Sequence, residues 1–155
     1  MSKKIQKIFV DGDACPVVKE ILRCAEAYRK QVIFVSSYAH LRKEKFPSFV
    51  EYVLVDANKE EADLAIINKS GKGDLAVTDD LGLSGILLAK GVYVLTSRGK
   101  LLTNEEMDFL LDVRYQSAKQ RRSGLRTKGP KKLTQDNQSN FQKQLEKILS
   151  NQQEF

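Results

Sequence analysis

Tryptophan is absent from this 155-residue chain, histidine occurs once and cysteine only twice. These scarcities exclude several chemistries at the outset. One histidine (His40) and two cysteines, with no Cys/His pair at ligand spacing, rule against a zinc site. Cys15 and Cys24 stand nine positions apart across a predicted helix. At about 100° per residue they fall on opposite faces, so both are expected to remain thiols, as in a reducing compartment. No apolar run approaches the roughly 20 residues that cross a bilayer. The opening Met1-Ser2-Lys3-Lys4-Ile5-Gln6 also lacks the apolar stretch of a signal peptide. The expected location is the cytoplasm, with no membrane partner. A phosphatase loop of the Cys-x5-Arg type would need arginine at position 21, where Ile21 stands. Ser70-Gly71-Lys72-Gly73 lacks the spacing of a phosphate-binding P-loop and leads into a strand, so it reads as a turn.

Acidic residues are missing from one long stretch. From Arg114 to Lys132 stand Arg114, Lys119, Arg121, Arg122, Arg126, Lys128, Lys131 and Lys132, with no Asp or Glu among them. The chain has 26 basic and 20 acidic residues, so setting these eight aside leaves 18 against 20. The net charge of +6 therefore belongs to one segment and not to the whole molecule. A clustered basic patch is the electrostatic footprint of a polyanion partner, although a solvated basic loop has the same composition.

What the chain does have is a repeated strand ending. Ile8-Phe9-Val10 runs into Asp11-Gly12-Asp13, and Val32-Ile33-Phe34-Val35 into Ser36-Ser37. Tyr52-Val53-Leu54-Val55 runs into Asp56, and Leu75-Ala76-Val77 into Thr78-Asp79-Asp80. A fifth run, Tyr93-Val94-Leu95, closes on Thr96-Ser97-Arg98-Gly99. Short β-branched runs bounded by polar residues read as buried strands of a parallel sheet, with helices on both faces. Between them the spacing predicts a helix with Pro16 in its first turn, carrying Val17, Val18, Ile21, Leu22, Ala25 and Tyr28. Residues 39–48 read as an exposed connection, and helices are predicted over 60–69 and 81–90. Thr103-Asn104-Glu105-Glu106 is a capping box that opens a helix with Met107, Leu110 and Leu111 inward. A last amphipathic helix carries Phe141, Leu145, Ile148 and Leu149. The length suits one domain: an α/β core over 1–100, and a helical region over 101–155 packed on it and containing the basic segment 114–132.

Ligands of parallel α/β sheets bind at the carboxyl ends of the strands, which is where Asp11, Asp13, Asp79 and Asp80 would gather. Asp63, on the polar side of its helix with Glu60, faces the same edge. Crowded carboxylates repel one another, so a hard divalent cation among them is the expected remedy. Gly12 allows the chain to turn so that Asp11 and Asp13 project together. A plainer reading makes Asp13 and Asp80 helix caps and Asp11 only the end of a strand.

The segment Val10-Asp11-Gly12-Asp13-Ala14-Cys15-Pro16-Val17 resembles the opening motif of the YaiI/YqxD family of bacterial proteins. The resemblance continues through Gly73-Asp74-Leu75-Ala76-Val77-Thr78-Asp79-Asp80, Ala89-Lys90-Gly91 and Arg98-Gly99, then Gly129-Pro130 and the helix from Gln138 to Leu149. It implies a three-layer PIN-like domain with a mainly parallel central sheet and a basic helical C-terminal extension. It further implies Mg²⁺- or Mn²⁺-dependent ribonuclease chemistry, with the acidic positions falling on Asp11, Asp63, Asp79 and Asp80. On this reading Asp11, Asp13, Asp79 and Asp80 are catalytic, and Asp11, Asp63, Asp79 and Asp80 hold the metal. RNA would lie along Arg98, Arg114, Lys119, Arg121, Arg122, Arg126 and Lys128. Two alternatives stand beside it. One is a nucleic-acid-binding protein without catalysis. The other is a haloacid-dehalogenase-like phosphatase using Asp11 and Asp13 as nucleophile and acid, Ser36 as a phosphate binder, and Asp79-Asp80 as the metal pair.

Overall fold

The computed structural model describes residues 5–38, 45–57, 60–122, 124 and 132–153. Five strands form one sheet in the order β3-β2-β1-β4-β5, and every neighbouring pair is parallel. The strands are β1 (Lys7–Asp11), β2 (Gln31–Ser37), β3 (Val50–Val55), β4 (Leu75–Val77) and β5 (Tyr93–Leu95). The helices are α1 (Val18–Tyr28), α2 (Glu61–Lys69), α3 (Leu81–Ala89), α4 (Asn104–Arg122) and α5 (Gln135–Gln153).

Side chains of a strand alternate between faces, and both faces of this sheet are apolar. Ile8, Val10, Val32, Phe34, Leu75 and Val77 pack with Ile21 and Cys24 of α1 and with Phe141, Leu145 and Leu149 of α5. The intervening Phe9, Ile33, Val35, Ala76 and Val94 face the other way, onto Ala62 and Ile66 of α2, Leu83 and Leu87 of α3 and Met107 of α4. The result is a helix–sheet–helix sandwich with two cores. The C-terminal helix belongs to the first of them: Phe141, Leu145 and Leu149 are fully buried.

Local details depart from the sequence reading in three places. Pro16 does not open α1, because a 3₁₀ turn over Gly12–Ala14 intervenes and Val17, at φ −119° and ψ 30°, is not yet helical. Cys15 consequently lies outside α1, and the opposite-face argument for the two thiols lapses, although both remain thiols. Gly12 is also not used for a positive φ. Instead a Cβ there would stand 2.4 Å from the ring of Phe34, so closeness to β2 is what requires a small residue. At the start of α4, Thr103 caps the helix by accepting from the Glu106 N–H at 3.3 Å, while the Glu106 carboxylate pairs with Lys100 at 3.6 Å. Leu111, expected inward, is largely exposed.

If α5 is part of the core, Leu145→Ala should destabilise the fold by about 2–5 kcal/mol, as for other buried leucines. Equilibrium urea unfolding measures this. A loss no greater than that of an exposed substitution would detach α5 from the domain.

Candidate functional site

The strand order reverses at β1 and β4: from β1 the chain builds outward through β2 and β3, then returns to place β4 on the opposite side. Such a reversal opens a crevice at the carboxyl ends of the two central strands. The chain fills its rim with acids, Asp11 ending β1 and Thr78-Asp79-Asp80 following β4. A cleft of about 700 Å³ opens there. Its floor includes Asp11, Thr78, Asp79, Asp80 and Ser97, and α4 supplies a wall of Leu110, Val113 and Arg114.

Each acid is held by a specific donor. Asp11 accepts from the Thr78 hydroxyl at 3.0 Å across the β1–β4 pair and from the backbone N–H of Asp13. Thr78 Oγ1 in turn accepts from the Asp80 N–H at 3.1 Å, which couples the two loops. Asp80 caps α3, accepting from the Leu83 N–H at 3.1 Å. Asp13 accepts from both the N–H and the hydroxyl of Ser37, at 2.8 and 3.3 Å, and so braces the turn after β1 against the end of β2. Asp79 does the same on the other side, since Ser97 donates its N–H at 2.8 Å and its hydroxyl to the two carboxylate oxygens.

The electrostatics divide these acids. Burial raises the pKa of Asp11, opposed by the Thr78 hydrogen bond and reinforced by the charges of Asp13 and Asp80. Asp63 is pushed up to about 6, first by burial and then by Asp80, Asp11, Glu60 and Asp13. Asp63 and Asp13 do not line the cleft, so they act on it through space from its margin. Asp79 contributes to neither shift, and both of its oxygens are taken by Ser97. The acids that act on one another are therefore Asp11, Asp13, Asp63 and Asp80. Among the described residues, no three His, Cys, Asp or Glu side chains gather closely enough to hold a metal ion.

The donor chemistry nevertheless suits one kind of ion. Mg²⁺ keeps several waters and is usually held by only one or two carboxylates, often with substrate phosphate completing the shell. Asp11 and Asp80 could serve such a site, with Asp63 adding charge.

The basic candidates are dispersed. Arg114 lies at the cleft, whereas Lys119, Arg121 and Arg122 occupy the exposed last turns of α4. Arg98 is tied to α5, donating to Asn137 Oδ1 at 3.2 Å while its carbonyl accepts from Asn140 at 2.8 Å. Arg126, Lys128 and His40 lie outside the described residues. Ser36, the phosphate binder of the phosphatase reading, is fully buried and hydrogen-bonded to the Tyr52 hydroxyl at 2.9 Å, which removes it from that role. The hydroxyls of Ser37, Thr78 and Ser97, which the sequence marks only as strand endings, are what hold these acids in place. Cys15 lines the cleft, whereas Cys24 is buried and its thiol is pushed up to about 11, chiefly by burial, which makes it unreactive.

A repulsive cluster has a definite pH signature. The folded pKa of Asp63 exceeds its unfolded value, so the stability linked to its proton is fully present below about 4 and lost as pH rises through about 6. Asp63→Asn should therefore be the more stable protein at pH 8, by about 1 kcal/mol once solvent screening is allowed for, and should lose that advantage near pH 4. Urea midpoints across this range check it. A variant less stable than the parent at pH 8 would show that the Asp63 charge is compensated.

Residues 9–151 match the model of a family described as "Uncharacterized BCR, YaiI/YqxD family". A UPF0178 protein of Bacillus pumilus is 45% identical over 99% of this chain and 92% of its own length. UPF0178 proteins of Bacillus cytotoxicus and Listeria welshimeri are each 44% identical, over 96% and 95% of this chain and 96% and 97% of theirs. No solved structure matches the chain. With a match that spans both cores, the carboxylate rim and the terminal helix, the chain belongs to the YaiI/YqxD family.

Proposed function

We propose that the protein is a divalent-metal-dependent phosphodiesterase of the PIN-like type that hydrolyses RNA. The observation that carries this reading is the gathering of Asp11, Asp79 and Asp80 on one cleft walled by Arg114, with Asp13 and Asp63 acting electrostatically from its margin. Such a site stores an unmet demand for positive charge, and the neighbouring arginine suits the phosphate of a substrate. Mg²⁺ or Mn²⁺, when bound by Asp11 and Asp80, would supply charge neutralisation of a phosphoryl oxygen and a more acidic water. The remaining work falls to the chain. Thr78 keeps the Asp11 carboxylate oriented. The cap on α3 fixes Asp80. Asp63, at the margin of the cleft, adds negative charge that favours a cation there. Arg114 would hold the backbone phosphate, with Arg121, two turns on along the same side of α4, extending the basic track.

A second reading, binding of RNA without cleavage, draws on the lack of a ready three-ligand group among the described residues. The two separate cleanly. Cleavage of a labelled single-stranded RNA should require Mn²⁺ or Mg²⁺ and cease with EDTA. Asp11→Asn should reduce it at least a hundredfold, about the scale of losing a principal electrostatic group, with binding retained. Unchanged cleavage by Asp11→Asn would refute the catalytic assignment, and metal-independent binding with no cleavage would favour the binder. Arg114→Ala should lower the log–log salt slope of RNA binding by about 0.7. An unchanged slope would take Arg114 out of the interface.

A further inference from the structure

Helix α4 is under-packed for its length. Of its 19 residues only Met107 is buried, and its principal neighbour is α3. Helices in water draw most of their stability from a packed apolar face. Yet Leu111 and Tyr115, one turn apart, are 44% and 57% exposed. On the same side stand Asp108 and Asp112 toward the N-terminus and Lys119 and Arg122 toward the C-terminus, all exposed. At 100° per residue these six positions fall within an arc of about 100°. Arg114, which faces the cleft, lies outside that arc.

The charge segregation needs a cause. The helix dipole accounts for Lys119 and Arg122, which lie in the last turn, but not for Asp108 and Asp112, which lie beyond the first. Nor can the acids pair with the bases within the helix, because Asp112 and Lys119 are about 10 Å apart along the axis. A polyanion is a poor occupant, since half the stripe would repel it. The stripe is complementary to itself reversed.

We propose that α4 is a homodimerisation helix, pairing antiparallel with α4 of a second copy about a two-fold axis at Tyr115. The two Tyr115 rings then meet at the axis. Asp108 faces the second copy's Arg122, and Leu111 and Asp112 face its Lys119, whose aliphatic stem covers the leucine. Each contact occurs twice, as an isologous interface requires. Parallel pairing would set acid on acid and base on base, so the charges also fix the direction. This inference does not depend on the RNA-cleaving reading.

The test is sedimentation velocity on the full chain without nucleic acid, at micromolar concentration. Wild type should run as a dimer of the 17.5 kDa chain. Asp108→Lys/Asp112→Lys makes the stripe wholly basic, and Lys119→Glu/Arg122→Glu makes it wholly acidic. Each double variant alone should be monomeric, and an equimolar mixture should regain the dimer. Tyr115→Glu, which sets like charges against each other at the axis, should weaken association by roughly tenfold or more. Circular dichroism melts establish that every variant compared is folded. A monomeric wild type, folded double variants that dimerise as it does, a mixture that stays monomeric, or a folded Tyr115→Glu that dimerises normally would each overturn the proposal.

Discussion

Parallel strands that reverse their order leave a crevice between β1 and β4, and this chain lines that crevice with like charges. The arrangement is costly: Asp11 is desolvated, and the pKa of Asp63 is raised first by burial and then by Asp80 and Asp11. It persists because hydroxyl and amide donors hold the rim in place. Thr78 bridges β1 to the loop after β4, Ser37 fastens the turn after β1 to β2, and Ser97 fastens the loop after β4 to β5. Three lateral ties between neighbouring strand ends thus fix the carboxylates without neutralising them. A scaffold selected for stability alone has no use for this pattern, since an apolar or amide side chain at position 63 would relieve it.

Much of the fold was legible because buried parallel strands are short, apolar and bounded. Each strand of the sheet coincides with a run read from the sequence, as does the amphipathic face of α5. What escaped was set by geometry that local spacing does not carry. The 3₁₀ turn at Gly12–Ala14 delayed α1 past Pro16. Leu111 fits a helical apolar spacing but is 44% exposed, whereas its neighbour Leu110 packs against the second core.

The site was legible in outline and not in its division of labour. Asp11, Asp63 and Asp80 do act on one another, as their placement at strand ends and on the facing helix suggested. Asp79, placed with them by its position after β4 and by the family resemblance, lines the same cleft and is hydrogen-bonded to Ser97. The serines and Thr78 carry no charge to draw attention, and their role appears only when parallel strands bring them beside the acids. The basic segment likewise resolved into unlike parts: Arg114 at the cleft, and Lys119 and Arg122 on a charge-divided stripe facing away from it.

The unmet demand for positive charge at the crevice is the premise on which the enzymatic reading stands. Anomalous scattering from a crystal of the protein soaked in Mn²⁺ addresses it without any assay of activity. The account predicts a strong peak within coordination distance of Asp11 and Asp80. A soaked crystal with no peak at that rim, and Asp11 and Asp80 as arranged here, would contradict it.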